Sequence, residues 1–143
     1  MKISIITVCF NAAETIKSTI DSIASQSYQN IEHIIVDGGS QDGTREIIAS
    51  SDSVSKYIFE PDDGIYDAMN KGIKMSRGSL ISILNSDDIY YKNALKLATN
   101  YFNRKQNIDF LFGSVIKYKL LYGYKPWKIH WSFGFYTTHS IGF

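Results

Sequence analysis

The stretch SLISILNSDDIYY, from Ser79 to Tyr91, joins an apolar run to a sharply polar end. Leu80 to Leu84 is short and nearly all apolar, which is typical of a strand covered on both faces. Asn85-Ser86-Asp87-Asp88 follows at once, so two adjacent carboxylates stand where the strand ends. Like charges repel, and burying either one is costly unless a partner neutralises it. A ligand or cation in front of them is one solution, and a solvated turn is the other.

Two earlier segments show the same arrangement of an apolar run with a polar end. Ile3 to Val8 leads into Cys9-Phe10-Asn11, and Ile31 to Val36 leads into Asp37-Gly38-Gly39-Ser40. Another short strand is predicted at Lys56–Phe59, and segments with helical spacing of apolar residues separate the strands. This alternation predicts an α/β fold with a mainly parallel central sheet flanked by helices. Such sheets bind ligands at the carboxyl ends of their strands, where these polar segments would meet.

Capping residues predict where the helices begin and end. Asn11 and Asp42 are expected to be N-caps of the helices that follow the first two strands. Gly78 is expected at the left-handed C-cap of the helix before the strand at Leu80. A further helix is predicted over about residues 92–104, then strands over 110–113 and 115–122 and a region rich in aromatic residues. Those aromatic residues suit an acceptor platform, a lipid contact, a core or an interface.

Composition and charge narrow the class of protein. The chain has 143 residues, 44% of them hydrophobic and 20% charged, which indicates one folded domain. A formal net charge of +1 predicts no strong electrostatic attraction of the whole chain to nucleic acid or to an anionic membrane. One cysteine excludes an internal disulfide and fits a reducing cytosol. No apolar run approaches the roughly 20 residues needed to span a bilayer, so a cytoplasmic location is expected.

The polar strand ends allow two kinds of chemistry. Asp87 and Asp88 could divide the roles of general acid and base, or hold a divalent cation that attracts phosphate oxygens. Asp37 could accept a hydrogen bond from a base or ribose while its glycines let the backbone approach a ligand, or it could cap a glycine-rich turn. Asn70, a poor helix former within a helix, hints at a polar role or solvent exposure. Cys9 has no neighbouring histidine, which argues against a nucleophile.

Four segments, read in order, resemble glycosyltransferase family 2. They are Ile3–Asn11, Ile34–Thr44, Glu60–Gly72 and Leu84–Asp88, and they cover Met1 to about Asp88. The resemblance implies the Rossmann-like GT-A fold of nucleotide-diphospho-sugar transferases. It also implies an NDP-sugar donor, in first place a UDP-sugar, and a divalent cation, Mn²⁺ or Mg²⁺.

The resemblance assigns roles to individual positions of this chain. The first strand end would line the base and ribose pocket, Asp37 would bind the nucleobase, and the segment at 63–71 would run beside the nucleotide. The implied nucleotide-sugar-binding residues are Val8, Cys9, Asn11, Asp37, Asp63, Gly64, Ala68, Asn70, Lys71, Asn85 and Ser86. Asn85-Ser86-Asp87 occupies the family's DxD element, so Asp87, with Asp88 beside it, would bind the metal.

The chain departs from the family pattern at several points. Val8-Cys9-Phe10-Asn11 stands where the family often has Pro-Thr-Tyr-Asn, Gly38 replaces a common aspartate, and Asn85 replaces the first aspartate of DxD. Family members usually continue into an acceptor-binding half, so residues 1–113 are expected to be the nucleotide-sugar-binding core and 114–143 the incomplete start of the acceptor side. No residue matches the family's acidic base, and His139 is the remaining candidate.

The resemblance implies an inverting glycosyltransferase that transfers a sugar to a glycan or lipid-linked acceptor in cell-surface polysaccharide synthesis. Nucleic acid is not an expected partner, while a homodimer and peripheral association with the inner face of the membrane stay open. One alternative is a truncated or degenerate protein that binds a nucleotide sugar without catalysis. A metal-dependent nucleotidyltransferase is disfavoured, because no glycine-rich loop with a lysine follows the first strand.

Overall fold

The computed structural model describes residues 1–105, 108–117 and 127–137, through most of which strands and helices alternate. In chain order the elements are β1 (Ile3–Cys9), α1 (Ile16–Ala24), β2 (Ile31–Asp37), α2 (Thr44–Ala49), β3 (Lys56–Phe59), α3 (Ile65–Met75), β4 (Leu80–Ile83), α4 (Ala94–Arg104), β5 (Phe110–Lys117) and β6 (Trp127–Thr137). Within the described ranges, no helix has both the length and the apolar character that crossing a bilayer requires.

One sheet contains all six strands in the order β3-β2-β1-β4-β6-β5. β1 pairs in parallel with β2 and β4, and β2 pairs in parallel with β3. Because parallel strands end on the same side, the residues that follow β1, β2, β3 and β4 share one boundary of the sheet, here called the carboxyl edge. The register places Cys9 opposite Asp37 at that edge. The predicted α/β fold with a mainly parallel sheet is confirmed.

Helices cover both faces of β1, which is buried along its whole length. Successive side chains of a strand point to opposite faces. Ile5 therefore belongs to the core cluster that includes Ile23 of α1 and Leu95 of α4, while Ile6 packs with Ala68 of α3. A Cβ atom added to Gly72 of α3 would lie 2.3 Å from Cγ2 of Ile6. The absence of a side chain at Gly72 thus lets α3 approach the sheet closely.

Both predicted N-caps are wrong. The N-cap of α1 is Thr15, and Asn11 instead takes a left-handed conformation with φ 49°. The N-cap of α2 is Gly43, while Asp42 accepts a hydrogen bond from the Thr44 amide at 3.1 Å. Both side chains instead join the turns after β1 and β2, because Asn11 accepts from the Gln41 amide and Asp42 accepts from the Ala13 amide. Local sequence does not reveal these contacts.

The predicted C-cap is also wrong. α3 ends at Met75, its C-cap Ser76 is extended, and Gly78 instead lies so close to β1 that a Cβ atom on it would be 2.5 Å from the Ser4 nitrogen. α4 begins at Ala94, two residues later than predicted, because Asn93 is left-handed with φ 67°.

The strands after α4 differ from the sequence prediction. Strands were expected at 110–113 and 115–122, but β5 is one strand over Phe110–Lys117 with a register irregularity between Gly113 and Val115. Residues 118–122 lie outside the described ranges. β6 was not predicted, and it pairs antiparallel with both β4 and β5. The division at residue 113, which stays a prediction, falls at the irregularity of β5.

Candidate functional site

Asp37 is fully buried where β2 reaches the carboxyl edge. Its Oδ1 accepts hydrogen bonds from the amides of Gly39 at 3.0 Å and Ser40 at 2.8 Å, and the Nε of Arg45 lies 3.5 Å from the same oxygen. The other oxygen, Oδ2, faces the thiol of Cys9 at 3.5 Å. A thiol is a weak donor, so Oδ2 keeps the capacity to accept an N–H group from a ligand.

Cys9 is a buried hydrogen-bond donor and not a nucleophile. Burial raises the pKa of its thiol well above the ordinary range, and the negative charge of Asp37 adds to the shift. The thiol therefore stays protonated at neutral pH. Val8, its neighbour, points to the opposite face and packs in the core cluster with Val36 and Ala68. A nucleotide contact by Val8 would consequently have to come from its backbone.

Asn11 joins the turn after β1 to the turn after β2. Its amide donates to the Ser40 hydroxyl at 2.7 Å, and its side-chain oxygen accepts from the Gln41 amide at 3.0 Å. Sequence reasoning named Asn11 but passed over Phe10, whose ring is 64% exposed between Cys9 and Asn11. Phe10 follows Cys9, whose thiol faces Asp37, and an exposed aromatic ring is a group on which a nucleobase can stack. The sequence feature that could have identified Phe10 is an aromatic residue at the polar end of a predicted strand.

Asp62 is a second residue that sequence reasoning missed. A Cβ atom on Gly38 would lie 2.5 Å from its Oδ2, so this carboxylate closely faces the turn after β2. Its Oδ1 accepts a hydrogen bond from the Gly64 amide at 2.9 Å. Asp63, the residue that was named, is exposed, and its amide donates to Asp67 at 3.2 Å. The glycine at position 38 is the sequence signal, because it makes room for a carboxylate from another segment.

Lys71 fixes the loop that leads into α3. Its ammonium lies 3.0 Å from carboxylate oxygens of both Glu60 and Asp67 and donates to the carbonyl of Pro61 at 2.9 Å. Asp67, and after it Glu60, raises the pKa of Lys71. Gly64, at the start of this helix, has φ 106°. Asn70 lies exposed on α3.

The turn after β4 is attached to α1 and presents a carboxylate to solvent. The Thr19 hydroxyl lies 2.8 Å from the carbonyls of both Ser86 and Asp88. The side-chain amide of Asn85 donates to Asp88 Oδ2 at 3.4 Å, while Asp87 is exposed. Oδ1 of Asn85 is buried and has no hydrogen-bond partner among the described residues.

These groups fit a divalent cation that a phosphate ligand helps to hold. Among the described residues, no three His, Cys, Asp or Glu side chains form a group able to bind a metal by themselves. Mg²⁺ and related ions usually take only one or two carboxylates from the protein, together with substrate phosphates. Asp87, Asp88 and the unpaired oxygen of Asn85 meet that requirement. His139, the candidate base, lies outside the described residues.

The profile of a known protein family matches most of this chain. The sequence profile described as "Glycosyl transferase family 2" matches residues 4–141. This chain belongs to glycosyltransferase family 2. The resemblance found in its four sequence segments is thereby confirmed.

This family 2 chain is similar in sequence to two relatives that are named glycosyltransferases. An uncharacterised glycosyltransferase of Rickettsia prowazekii is 37% identical over 107 residues, which cover 75% of this chain and 34% of that protein. WfgD of Escherichia coli, named a UDP-Glc:α-D-GlcNAc-diphosphoundecaprenol β-1,3-glucosyltransferase, is 36% identical over 114 residues, covering 78% of this chain and 45% of WfgD. The chain thus spans less than half the length of either relative.

Solved structures share the fold of this family 2 chain. Residues 1–349 of Staphylococcus aureus TarS in complex with UDP-GlcNAc give a TM-score of 0.72 at 24% identity, over 78% of this chain and 34% of that one. The mannosyltransferase PcManGT of Pyrobaculum calidifontis, solved with GDP-Man and Mn²⁺, gives 0.68 at 20% identity, over 76% and 34%. These likenesses confirm the predicted GT-A fold.

Proposed function

We propose that this chain binds an NDP-sugar along its carboxyl edge and belongs to an inverting glycosyltransferase. In this proposal the sugar passes to a glycan or lipid-linked acceptor during synthesis of a cell-surface polysaccharide. The observation that carries the proposal is the buried carboxylate of Asp37, which has one oxygen held by backbone amides and the other facing only a thiol among the described residues. The parallel register puts it on the same edge as the acidic turn after β4.

The carboxyl edge offers separate contacts to the two ends of a nucleotide. Oδ2 of Asp37 would accept an N–H group of the base, and the exposed ring of Phe10 would cover the base face. Asp87, Asp88 and the side-chain oxygen of Asn85 would hold a divalent cation, Mn²⁺ or Mg²⁺. The positive charge of the cation would offset the negative charge of the diphosphate leaving group.

A uridine nucleotide is the donor we propose first. Uracil presents an N–H group between two carbonyls, which suits a single buried carboxylate acceptor. The support from relatives is that WfgD is named for UDP-Glc and TarS was solved with UDP-GlcNAc, whereas PcManGT was solved with GDP-Man.

Transfer itself requires the acceptor side of the enzyme. An acceptor hydroxyl would attack the anomeric carbon, the bond to the diphosphate would break, and a base would take the hydroxyl proton. We assign residues 114–143 to the start of this acceptor side and keep His139 as the candidate base. A cytoplasmic location, dimer formation and binding without turnover stay predictions.

Calorimetry with UDP, in the presence and absence of MnCl₂, tests the proposal. We expect Asp87→Ala to remove the manganese-dependent part of the affinity and Asp37→Asn to weaken UDP binding with or without manganese, by tenfold or more, since hydrogen bonds to charged groups contribute roughly 1.5–3 kcal/mol. Asp52→Asn, a change at an exposed carboxylate in the loop before β3, is the control. Full, metal-independent binding by Asp87→Ala would refute the metal assignment.

A donor-hydrolysis assay on the same chain separates enzyme from binding protein. Release of UDP from a UDP-sugar above the rate without protein would support catalysis by this chain. UDP binding without any release would instead favour the alternative of a nucleotide-sugar-binding chain that does not catalyse transfer.

A further inference from the structure

The outward face of α4 carries apolar side chains that the sheet does not cover. Leu97 and Tyr101 lie one turn apart on this helix and are 67% and 49% exposed. The opposite face of the same helix is in the core, where Leu95, Ala98 and Phe102 are buried. α4 therefore already has the apolar face that anchors it to the sheet, and Leu97 and Tyr101 form a second, outward apolar stripe.

Positive charge surrounds this stripe. Four cations, Lys92, Lys96, Arg104 and Lys105, fall between residues 92 and 105, and that segment contains no Asp or Glu. The rest of the chain has 11 Lys and Arg against 14 Asp and Glu. None of the four forms an ion pair with another described residue. The charge of this segment is therefore unneutralised within the described part of the chain and opposite in sign to that of the remainder.

We propose that the outward face of α4 docks on the surface of an anionic lipid bilayer. Apolar and aromatic side chains flanked by Lys and Arg, on a helix too short to span the bilayer, are the composition of helices that lie in the membrane interface. The charge also disfavours a second copy of this chain as the occupant, because a symmetric contact through α4 would bring like charges together.

The position of α4 links this surface to the candidate site. α4 is the next element after the acidic turn at Asp87 and Asp88, and the loop between them exposes Ile89 and Tyr91, at 59% and 53%. Exposed apolar side chains therefore continue along the chain from the turn at the carboxyl edge to α4. Docking would place that edge beside the bilayer, where a lipid-linked acceptor presents its hydroxyl group. This last consequence rests on the proposed function, whereas the docking itself does not.

Co-sedimentation with lipid vesicles tests the docking face. We expect the 143-residue chain to bind vesicles of equal parts phosphatidylcholine and phosphatidylglycerol but not vesicles of phosphatidylcholine alone, and added salt to weaken the binding. The double variant Lys96→Gln/Arg104→Gln should lose about fivefold in affinity per charge removed, and Leu97→Ser/Tyr101→Ser should also bind more weakly. The matched control Lys17→Gln/Lys74→Gln removes the same charge from α1 and α3 and should stay within about twofold of wild type.

Three results would overturn the inference. They are no binding to the anionic vesicles, equal binding by wild type and both α4 variants, and loss of binding by the control as large as that of Lys96→Gln/Arg104→Gln. Calorimetry with UDP on the same variants distinguishes a failure of the docking proposal from a failure of the proposed function. Lost vesicle binding with intact UDP binding in the α4 variants supports the docking face and shows that the fold has survived, whereas lost UDP affinity in Asp37→Asn and Asp87→Ala bears on the proposed function alone.

Discussion

Two buried residues of β2, Glu32 and His33, are expected to make the stability of the protein depend on pH. Glu32 is almost fully buried in β2, at the end of the sheet opposite the carboxyl edge. Burial alone would raise the pKa of Glu32, but hydrogen bonds from the Ser4 hydroxyl, the Arg77 amide and the Lys2 ammonium outweigh it and lower the value to about 2. Its contribution to stability is therefore present above pH 4.5 and is lost as the pH falls from 4.5 through about 2.

Acid also destabilises the fold through His33, in a higher pH range. Its Nε2 lies 3.0 Å from the Thr7 hydroxyl, Nδ1 is buried without a hydrogen-bond partner among the described residues, and burial lowers the pKa of the imidazole to about 4. Above pH 6.5 the imidazole is neutral in both folded and unfolded chains. Between pH 6.5 and about 4 only the unfolded chain gains a proton, so acid favours unfolding.

We predict that the free energy of unfolding falls by about 1.4 kcal/mol per pH unit across this range because of His33. His33→Leu, which cannot take up a proton, should remove that slope whatever its own effect on stability. Urea unfolding measured at several pH values between 4.5 and 6.5 checks the prediction. That window lies above the pH range in which the contribution of Glu32 changes. A slope that is equal in wild type and variant would assign the pH dependence to other groups.

At the scale of elements, the contact between α3 and β1 holds the helix that carries Asp67 and Lys71 against the sheet. The contact depends on Gly72, where an added Cβ atom would meet Cγ2 of Ile6 at 2.3 Å in a fully buried region. Any side chain at position 72 must move either the helix or the strand. Since cores are close-packed, such a movement costs free energy.

Gly72→Ala is expected to destabilise the protein by about 1–2 kcal/mol. Overpacking typically costs 1–3 kcal/mol, whereas the gain in helix propensity from glycine to alanine is at most about 1 kcal/mol. The measurement is the midpoint of urea unfolding. Lys74→Ala, an exposed change on the same helix, is the control and should stay within about 0.5 kcal/mol of wild type. A more stable Gly72→Ala protein would show that α3 can shift at little cost.

At the scale of the whole molecule, β6 joins β5 to the rest of the sheet. It pairs with β4 on one side and β5 on the other, so β4 is an inner strand. Without β6, the backbone groups of β4 on that side would lose their partners. An unpaired, apolar strand edge is a template for association with other chains.

We predict that a chain of residues 1–113 unfolds at a lower temperature than residues 1–143 and self-associates. Its folded fraction should still bind UDP, because every residue proposed to contact the nucleotide precedes residue 89. Thermal unfolding compares the stability of the two chains. Light scattering after size-exclusion chromatography compares their self-association. An equally stable, monomeric 1–113 chain that binds UDP would show that the proposed nucleotide-binding core folds without β6.

The sequence alone determined the alternation of strands and helices from β1 to α4, and the family. β3 was predicted at its observed residues, and β1 and β2 to within one residue at each end. The periodic pattern of apolar residues that predicts these elements is local, since it depends on neighbours two to four positions apart. Because parallel strands end on the same side, the same local pattern was enough to predict that the polar ends of β1, β2 and β4 share one edge.

Only the tertiary structure decided which neighbour each polar group meets. It turned Asn11 and Asp42 from helix caps into contacts between turns, placed Asp62 rather than Asp63 against Gly38, and left an oxygen of Asn85 buried without a partner among the described residues. It also paired β6 with β4 across more than 50 residues of chain. Distances between side chains that are remote in sequence depend on how complete elements pack, and no local pattern of residues encodes them.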